Sequence, residues 1–189
     1  MKRIGILGDI GSGKSYVARN FSYPVFNADE EVNILYKKNK KTFVKLKKIL
    51  PKYIKSFPIN KLEISKAILI NKVNLKKIIK IVHIEIKKKM FSFLKKNKNK
   101  EIVILDIPLL LENKINKKGD ILIFVQSQRK LIIEKLKKRK NYNSKLVKKF
   151  KNIQLPLDYK KKKSQFIIKN DFKKKTVKKE IIKILQKIL

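Results

Sequence analysis

The stretch Arg3-Ile4-Gly5-Ile6-Leu7-Gly8-Asp9-Ile10-Gly11-Ser12-Gly13-Lys14-Ser15 decides how the rest of the chain reads. Its first five residues form a short apolar run with the character of a buried strand. Gly8, Gly13, Lys14 and Ser15 then match the spacing G-x-x-x-x-G-K-[ST], and a helix is expected over Ser15 to Phe21. Three of the chain's five glycines fall within positions 8–15. Glycine permits positive φ and close backbone approach, so successive N–H groups turn inward as an anion nest. The helix that follows points its positive end at the same place. In this pattern the lysine reaches the β- and γ-phosphates of ATP, and the Ser15 hydroxyl is offered to Mg²⁺. A tight turn that used glycine for packing alone would not require Lys-Ser at its end.

The 189 residues, 22.3 kDa, suit one domain with inserted segments. Hydrophobic residues make up 43%, enough for a core. The absence of cysteine excludes a disulfide framework, thiolate zinc sites and thiol catalysis. No apolar run approaches the ~18–20 residues of a membrane span and no signal peptide opens the chain, so a soluble cytoplasmic protein is expected. The formal charge of +38 raises the question of nucleic acid. Only four of the 52 basic residues are Arg, however, whereas Ile reaches 30 and Asn 15. Lys, Ile and Asn are the residues of A/T-rich codons, and dedicated nucleic-acid surfaces favour the arginine fork. No specific nucleic-acid partner is expected. General attraction to polyanions is, and it should vanish with salt.

Outward from the octet, Pro24 to Asp29 reads as a second strand with an acidic end. Residues 31–73 read as short helices broken by Pro51 and Pro58. Asn74 to Leu94 is the longest periodic helix, with Leu75, Ile78, Ile79, Val82, Ile86, Met90 and Phe93 on one stripe. Glu101 to Asp106 and Asp120 to Val125 are apolar strands. Helices follow over Ser127 to Arg139 and Ser144 to Ile153, separated by a break at 141–143. Phe166 to Ile168 is a brief strand, and Thr176 to Leu189 a terminal helix with Val177, Ile181, Ile184, Leu185 and Ile188 inward. Strands that run apolar throughout and alternate with helices predict an α/β fold with a parallel sheet covered on both faces.

Acids at strand ends stand out, because the chain has only 14 acidic residues. Asp29 and Asp106 would both lie on the sheet edge where ligands bind. Asp106 fits the pattern that holds Mg²⁺, and Asp29 suits a base that accepts a proton from an attacking hydroxyl. Each also reads as a helix N-cap or turn acid. Arg139, near the end of a lysine-rich helix, reads as a solvated residue or as a clamp on transferring phosphate. His83 flanks the apolar stripe of the long helix, where a half-buried structural role is the default.

Together these pieces resemble the dephospho-coenzyme A kinase family. The opening Ile4-Gly5-Ile6-Leu7-Gly8 through Ser15 is similar to the family's start. Val25-Phe26-Asn27-Ala28-Asp29 resembles its Asp-Ala-Asp motif, and His83 stands where the family carries His-Pro. Asp106-Ile107-Pro108-Leu109-Leu110-Leu111-Glu112 is close to its Pro-Leu-Leu-Phe-Glu segment. Gln154-Leu155-Pro156, Lys162 and Ile168-Lys169-Asn170 follow its late series. The resemblance implies a P-loop core at about 1–30, 101–127 and 165–189, a helical substrate-binding region at about 31–100, and a lid at about 128–164. It also implies transfer of the γ-phosphoryl of ATP to the ribose 3′-hydroxyl of dephospho-coenzyme A with Mg²⁺.

On this resemblance Asp29 is the general base, with Lys14 and Arg139 assisting. Gly8, Gly11, Ser12, Gly13, Lys14, Ser15, Tyr16 and Asn170 are expected to contact the nucleotide. Asp29, His83, Pro108, Leu109, Glu112 and Lys162 are expected on the acceptor substrate, and Ser15 with Asp106 on the metal. The chain departs from the family pattern at Asn27 (the first acid), Ile84 (proline), Ser164-Gln165 (Ala-Asp), Lys135 (a lid arginine) and Tyr16 (threonine). Another small-molecule P-loop kinase is the alternative. The absence of glycine between Gly13 and Gly119 argues against the glycine-rich substrate loop of shikimate kinases.

Overall fold

The opening apolar run forms β1 (Lys2–Gly8), the middle strand of a sheet in which both faces are covered. The computed structural model describes residues 1–140 and 142–189, so position 141, part of the expected break, lies outside them. The chain divides into two compact units. The first comprises Met1–Asn27, Asn97–Tyr142 and Ile153–Leu189, and the second Ala28–Lys96 and Asn143–Asn152.

In the first unit β1 is followed by α1 (Lys14–Arg19) and β2 (Val25–Asn27). After residue 97 come β3 (Ile102–Asp106), β4 (Ile121–Gln126), a helix at Arg129–Lys137, one at Leu157–Lys162, β5 (Phe166–Lys169) and a last helix at Lys174–Ile188. Among the described residues the sheet has five strands in the order β2-β3-β1-β4-β5, and every pairing is parallel. Parallel strands need crossovers, and crossover helices bury the sheet. Ile4, Ile6, Ile104, Ile123, Val125 and Ile168 therefore meet Val17, Ala18 and Phe21 from α1 and its end, and Val177, Ile181 and Ile184 from the last helix. Each fully buried isoleucine contributes about 1.5–3 kcal/mol. Gly5 lets the other face close up, since a Cβ there would lie 2.5 Å from Leu110 Cδ2 and 3.0 Å from Leu122 Cδ2.

The second unit is helical: α2 (Ala28–Lys38), α3 (Lys40–Ile49), α4 (Lys61–Ile70), α5 (Lys72–Lys96) and a short helix at Ser144–Lys151. In chain order the remaining helices are α6 (Arg129–Lys137), α7 (Ser144–Lys151), α8 (Leu157–Lys162) and α9 (Lys174–Ile188). The long helix packs through the predicted stripe. Leu75, Ile78, Val82, Ile86 and Met90 are buried, while Ile79 and Phe93 are half-buried. The asparagine-rich composition serves the helix starts: Asn39, Asn60 and Asn143 accept the N–H of Thr42, Leu62 and Leu146. Pro51 and Pro58 lie between α3 and α4, as expected.

Two expectations change. The second strand stops at Asn27, and Asp29 lies in the first turn of α2 rather than at a strand end. Asp29, Glu30 and Glu31 crowd that turn, where the positive helix end favours acids. The helix α8 has no counterpart in the sequence reading, because a run of four lysines over 160–163 masks its period. Among the described residues no helix is long and apolar enough to cross a membrane.

A buried ion pair ties the start of the chain to the residue preceding β4. Arg3 Nη2 lies 3.0 Å from Asp120 Oδ2, and both side chains are at least nine-tenths covered. Burial raises the Asp120 carboxyl above its ordinary value, although the Lys117 N–H and Arg3 pull the other way. Arg3→Met should therefore cost about 3 kcal/mol at neutral pH, by stranding a buried charge. The loss should shrink as the pH falls and Asp120 takes up a proton, which urea unfolding at pH 7 and pH 4.5 would read. An equal loss at both values would contradict this.

Candidate active site

The sequence dictates a loop without side chains at its turns, and the structure shows what fills the space. Gly11 and Gly13 adopt φ of 87° and 86°. A Cβ at Gly11 would lie 2.8 Å from Leu136 Cγ and 3.0 Å from Ile132 Cγ2, so α6 rests on the loop. At Gly13 a Cβ would lie 2.3 Å from Asn170 Nδ2. Lys14 curls back along the loop, and its ammonium donates to the carbonyls of Gly8 (3.2 Å) and Asp9 (2.8 Å). Ser15 follows in the first turn of α1, and Gly13 occupies the N-cap.

The loop is braced from behind. Asn170, 3% exposed at the end of β5, donates from Nδ2 to the Ser12 carbonyl at 2.8 Å. The Ser127 hydroxyl, beyond the end of β4, lies 2.9 Å from that carbonyl and 2.8 Å from the carbonyl of Asn170. The Asn170 N–H is bonded to the Gln126 carbonyl. Ser12 itself is buried, its N–H donating to the Asp9 carbonyl and its Oγ lacking a partner. The structure thus gives the side chains of Ser12 and Asn170 a place behind the cradle. Asn170 is the brace that sets the turn, reached through contacts 158 residues apart.

Next to the loop edge of the sheet, Asn27 stands opposite Asp106 in the ladder. Its Nδ2 donates to Asp106 Oδ2 at 2.8 Å. Asp106 is 3% exposed. Among the described residues no three His, Cys, Asp or Glu side chains gather to hold a metal. A buried carboxylate and a serine hydroxyl are hard oxygen donors. They suit Mg²⁺, which takes one or two carboxylates and completes its shell with water and substrate phosphates.

The segment after Asp106 turns over Pro108 and Leu109, both half-buried, to Glu112. Glu112 Oε1 lies 2.7 Å from Lys160 Nζ and accepts the Leu155 N–H at 3.0 Å. Lys160 is 1% exposed, and its ammonium also approaches Gln154 Oε1 at 3.4 Å. Lys162, the lysine expected on substrate, is exposed on α8. Lys160 is the lysine of this run that enters the interior.

A sequence profile of the dephospho-CoA kinase family matches residues 2–176. The chain belongs to that family. A dephospho-CoA kinase of Wolbachia pipientis wMel is 30% identical over 179 residues, which is 92% of this chain and 91% of that protein. A solved structure from Thermus thermophilus matches with a TM-score of 0.79 at 22% identity, covering 100% of this chain and 97% of that one. The dephospho-CoA kinase from Campylobacter jejuni matches with a TM-score of 0.62 at 21% identity, covering 99% and 97%. The two structures support the shared fold.

For a dephospho-CoA kinase family member, the structure brings together Gly8, Gly11, Ser12, Gly13, Lys14, Ser15 and Asn170 at one loop. The ring of Tyr16 lies 6.5 Å from that of Phe172. Arg139 is exposed just beyond α6. Asp29 and His83 belong to the helical unit, on α2 and α5. Sequence reasoning missed Ser127, Phe172 and Lys160. None has a local motif, and each is marked by a contact made across the fold.

His83 is half-buried, and its Nε2 is covered without a hydrogen-bond partner. Burial first, and Lys87 one turn on, hold its pKa below the ordinary 6.5. The unfolded chain therefore binds this proton more readily, and stability falls as the pH drops through about 6.5. His83→Gln should flatten that fall in thermal melts between pH 7.5 and 5.5; a variant as acid-sensitive as the parent would refute the assignment. At the strand edge, Asn27→Asp would set a second carboxylate against Asp106. Replacing the amide donor with a second carboxylate turns a hydrogen bond into a buried repulsion. The variant should melt at a lower temperature than the parent at neutral pH, and an unchanged melt would contradict the contact.

Proposed function

We propose that this chain transfers the γ-phosphoryl group of ATP to the ribose 3′-hydroxyl of dephospho-coenzyme A, giving coenzyme A and ADP in the last step of coenzyme A synthesis. The carrying observation is the braced loop of residues 8–15 in a chain whose family match spans residues 2–176. That match disfavours another small-molecule kinase or a nucleic-acid module.

Phosphoryl transfer demands positioning and charge neutralisation more than covalent chemistry. The main-chain N–H groups of the loop and the end of α1 grip the triphosphate. Lys14 exchanges its bonds to the Gly8 and Asp9 carbonyls for the β- and γ-phosphate oxygens. Ser15 and Asp106 would hold Mg²⁺, which would supply neutralisation of phosphate charge. Asp29 orients the 3′-hydroxyl and accepts its proton, a role supported by its place in the motif Asn27-Ala28-Asp29. His83, Pro108, Leu109, Glu112 and Lys162 serve the acceptor side. Residues 128–164 act as a lid that brings Arg139 to the transferring group and excludes water. The protein works in the cytoplasm.

The direct test combines purified protein, ATP, Mg²⁺ and dephospho-coenzyme A, with the product identified by mass. Coenzyme A is expected, and its absence overturns the reading. A positioned base is typically worth ~10²–10⁴-fold. Asp29→Asn should cut kcat by about that factor while nucleotide binding persists, and near-normal turnover would reassign the base.

A further inference from the structure

An ammonium group leaves water only at high cost, so a lysine enters a protein interior with a partner or not at all. Among the described residues one lysine is buried, Lys160 on α8. Glu112 Oε1 takes two donors, the Lys160 ammonium at 2.7 Å and the Leu155 N–H at 3.0 Å. Its other oxygen, Oε2, is covered and makes no hydrogen bond. The ammonium also reaches Gln154 Oε1 at 3.4 Å, and the Lys160 N–H donates to the Pro156 carbonyl at 3.1 Å. A buried ion pair adds little stability over apolar packing of the same volume. What it adds here is a fixed geometry for residues 154–156.

The pair joins two limbs of the chain. Glu112 belongs to the segment that leaves β3 after Asp106, and Leu110 of that segment is fully buried where Gly5 of β1 leaves room for it. Lys160 belongs to the limb that comes back from α7. Residues 143–152 are part of the helical unit, and the core unit resumes at residue 153. Gln154, Leu155 and Pro156 follow at once, and all three are held by Glu112 or Lys160. Beyond them α8 packs against β1. Past its end Gln165 exchanges hydrogen bonds with Leu122 of β4, its N–H donating at 3.0 Å and its Oε1 accepting at 2.7 Å. The outgoing limb is fastened as well, since Ile132 and Leu136 of α6 lie against Gly11. The stretch between the two fastenings is 138–153, and it carries Arg139.

We propose that Lys160 is a positioning residue for phosphoryl transfer, the pin that fixes where the closing segment returns to the core. It acts through Glu112 and residues 154–156, with no part of its own in the proton or phosphoryl transfer. The segment that closes is thereby limited to the residues between α6 and Gln154. A segment fixed at both ends brings Arg139 to the same place at each closure. One with a loose end loses both that placement and the exclusion of water. This rests on the reading that a lid carrying Arg139 closes over the transferring group.

Two variants and one exchange measurement test it. Lys160→Met alone strands the Glu112 carboxylate and should lower the melting temperature. The double variant Lys160→Met/Glu112→Gln leaves no buried charge and keeps an amide oxygen for the Leu155 N–H, so it should melt within a few degrees of the parent. In that double variant kcat for transfer should fall about tenfold to hundredfold. Its KM for ATP should stay within about twofold, and the ratio of ATP hydrolysed to acceptor phosphorylated should rise. An unchanged kcat and ratio, or a loss confined to the KM for dephospho-coenzyme A, would overturn the pin. Hydrogen exchange on the unaltered enzyme reads the same point without any substitution. A non-hydrolysable ATP analogue with dephospho-coenzyme A should slow exchange over residues 143–152, while the Leu155 N–H is protected before and after. A Leu155 N–H that exchanges as fast as residues 143–152 in the free enzyme would also overturn the pin. Near-normal kcat in Arg139→Ala is a different result. It would overturn the lid reading itself, and the role of Lys160 with it.

Discussion

The carbonyl of Ser12 accepts hydrogen bonds from two directions, and the rest of the site depends on how it is held. A glycine-rich loop has no side chains with which to fix its own shape. Its N–H groups converge only if something outside the loop orients its carbonyls away from the ligand. Here the Asn170 amide and the Ser127 hydroxyl do so, from the ends of β5 and β4. The same asparagine leaves no volume for a Cβ at residue 13 and sets the turn that strains Phe172. One buried side chain thus couples the loop, the sheet edge and the segment leading into α9. A buried polar group with its partners in place costs little, whereas a broken set costs the full desolvation of each stranded atom. The network therefore stiffens the loop.

The fold was legible where physics is local. The central strands β1, β3 and β4 announce themselves as apolar runs, since a parallel sheet covered on both faces buries most of a central strand, whereas the edge strands β2 and β5 are shorter and less buried. The long helix shows its buried face at helical spacing. The octet was legible because glycine is scarce, which makes three within eight positions informative. What stayed hidden was long-range or compositionally masked. Lys160 differs from Lys161, Lys162 and Lys163 only by facing Glu112, 48 positions earlier in the chain. Asn27 reads as a lost acid in sequence, whereas in the ladder it is an amide donating to Asp106. Asp29 read as a strand end because the run before it is apolar, but three successive acids suit the first turn of a helix better.

The +38 charge and the site are separate matters. At physiological ionic strength the field of an exposed lysine is screened beyond about 8 Å. The excess lysines therefore speed the approach of any polyanion more than they hold a particular one. On the proposed reading, affinity for a triphosphate comes from groups fixed in place, the loop amides and Lys14, whose bonds to the Gly8 and Asp9 carbonyls keep it at the loop. The same distinction applies to nucleic acid. A high count of solvated ammonium groups attracts phosphate without recognising it. Recognition needs a geometry, and in this chain the phosphate-binding geometry read from the sequence and structure is the braced loop. Where scarcity does matter is on the acidic side. With 14 acids against 52 bases, a carboxylate kept buried at a strand end against its desolvation needs partners nearby. Asp106 has one in Asn27. An amide there satisfies the carboxylate without adding a second negative charge, so this departure from the family motif leaves the Asp106 carboxylate at the end of β3 with a partner.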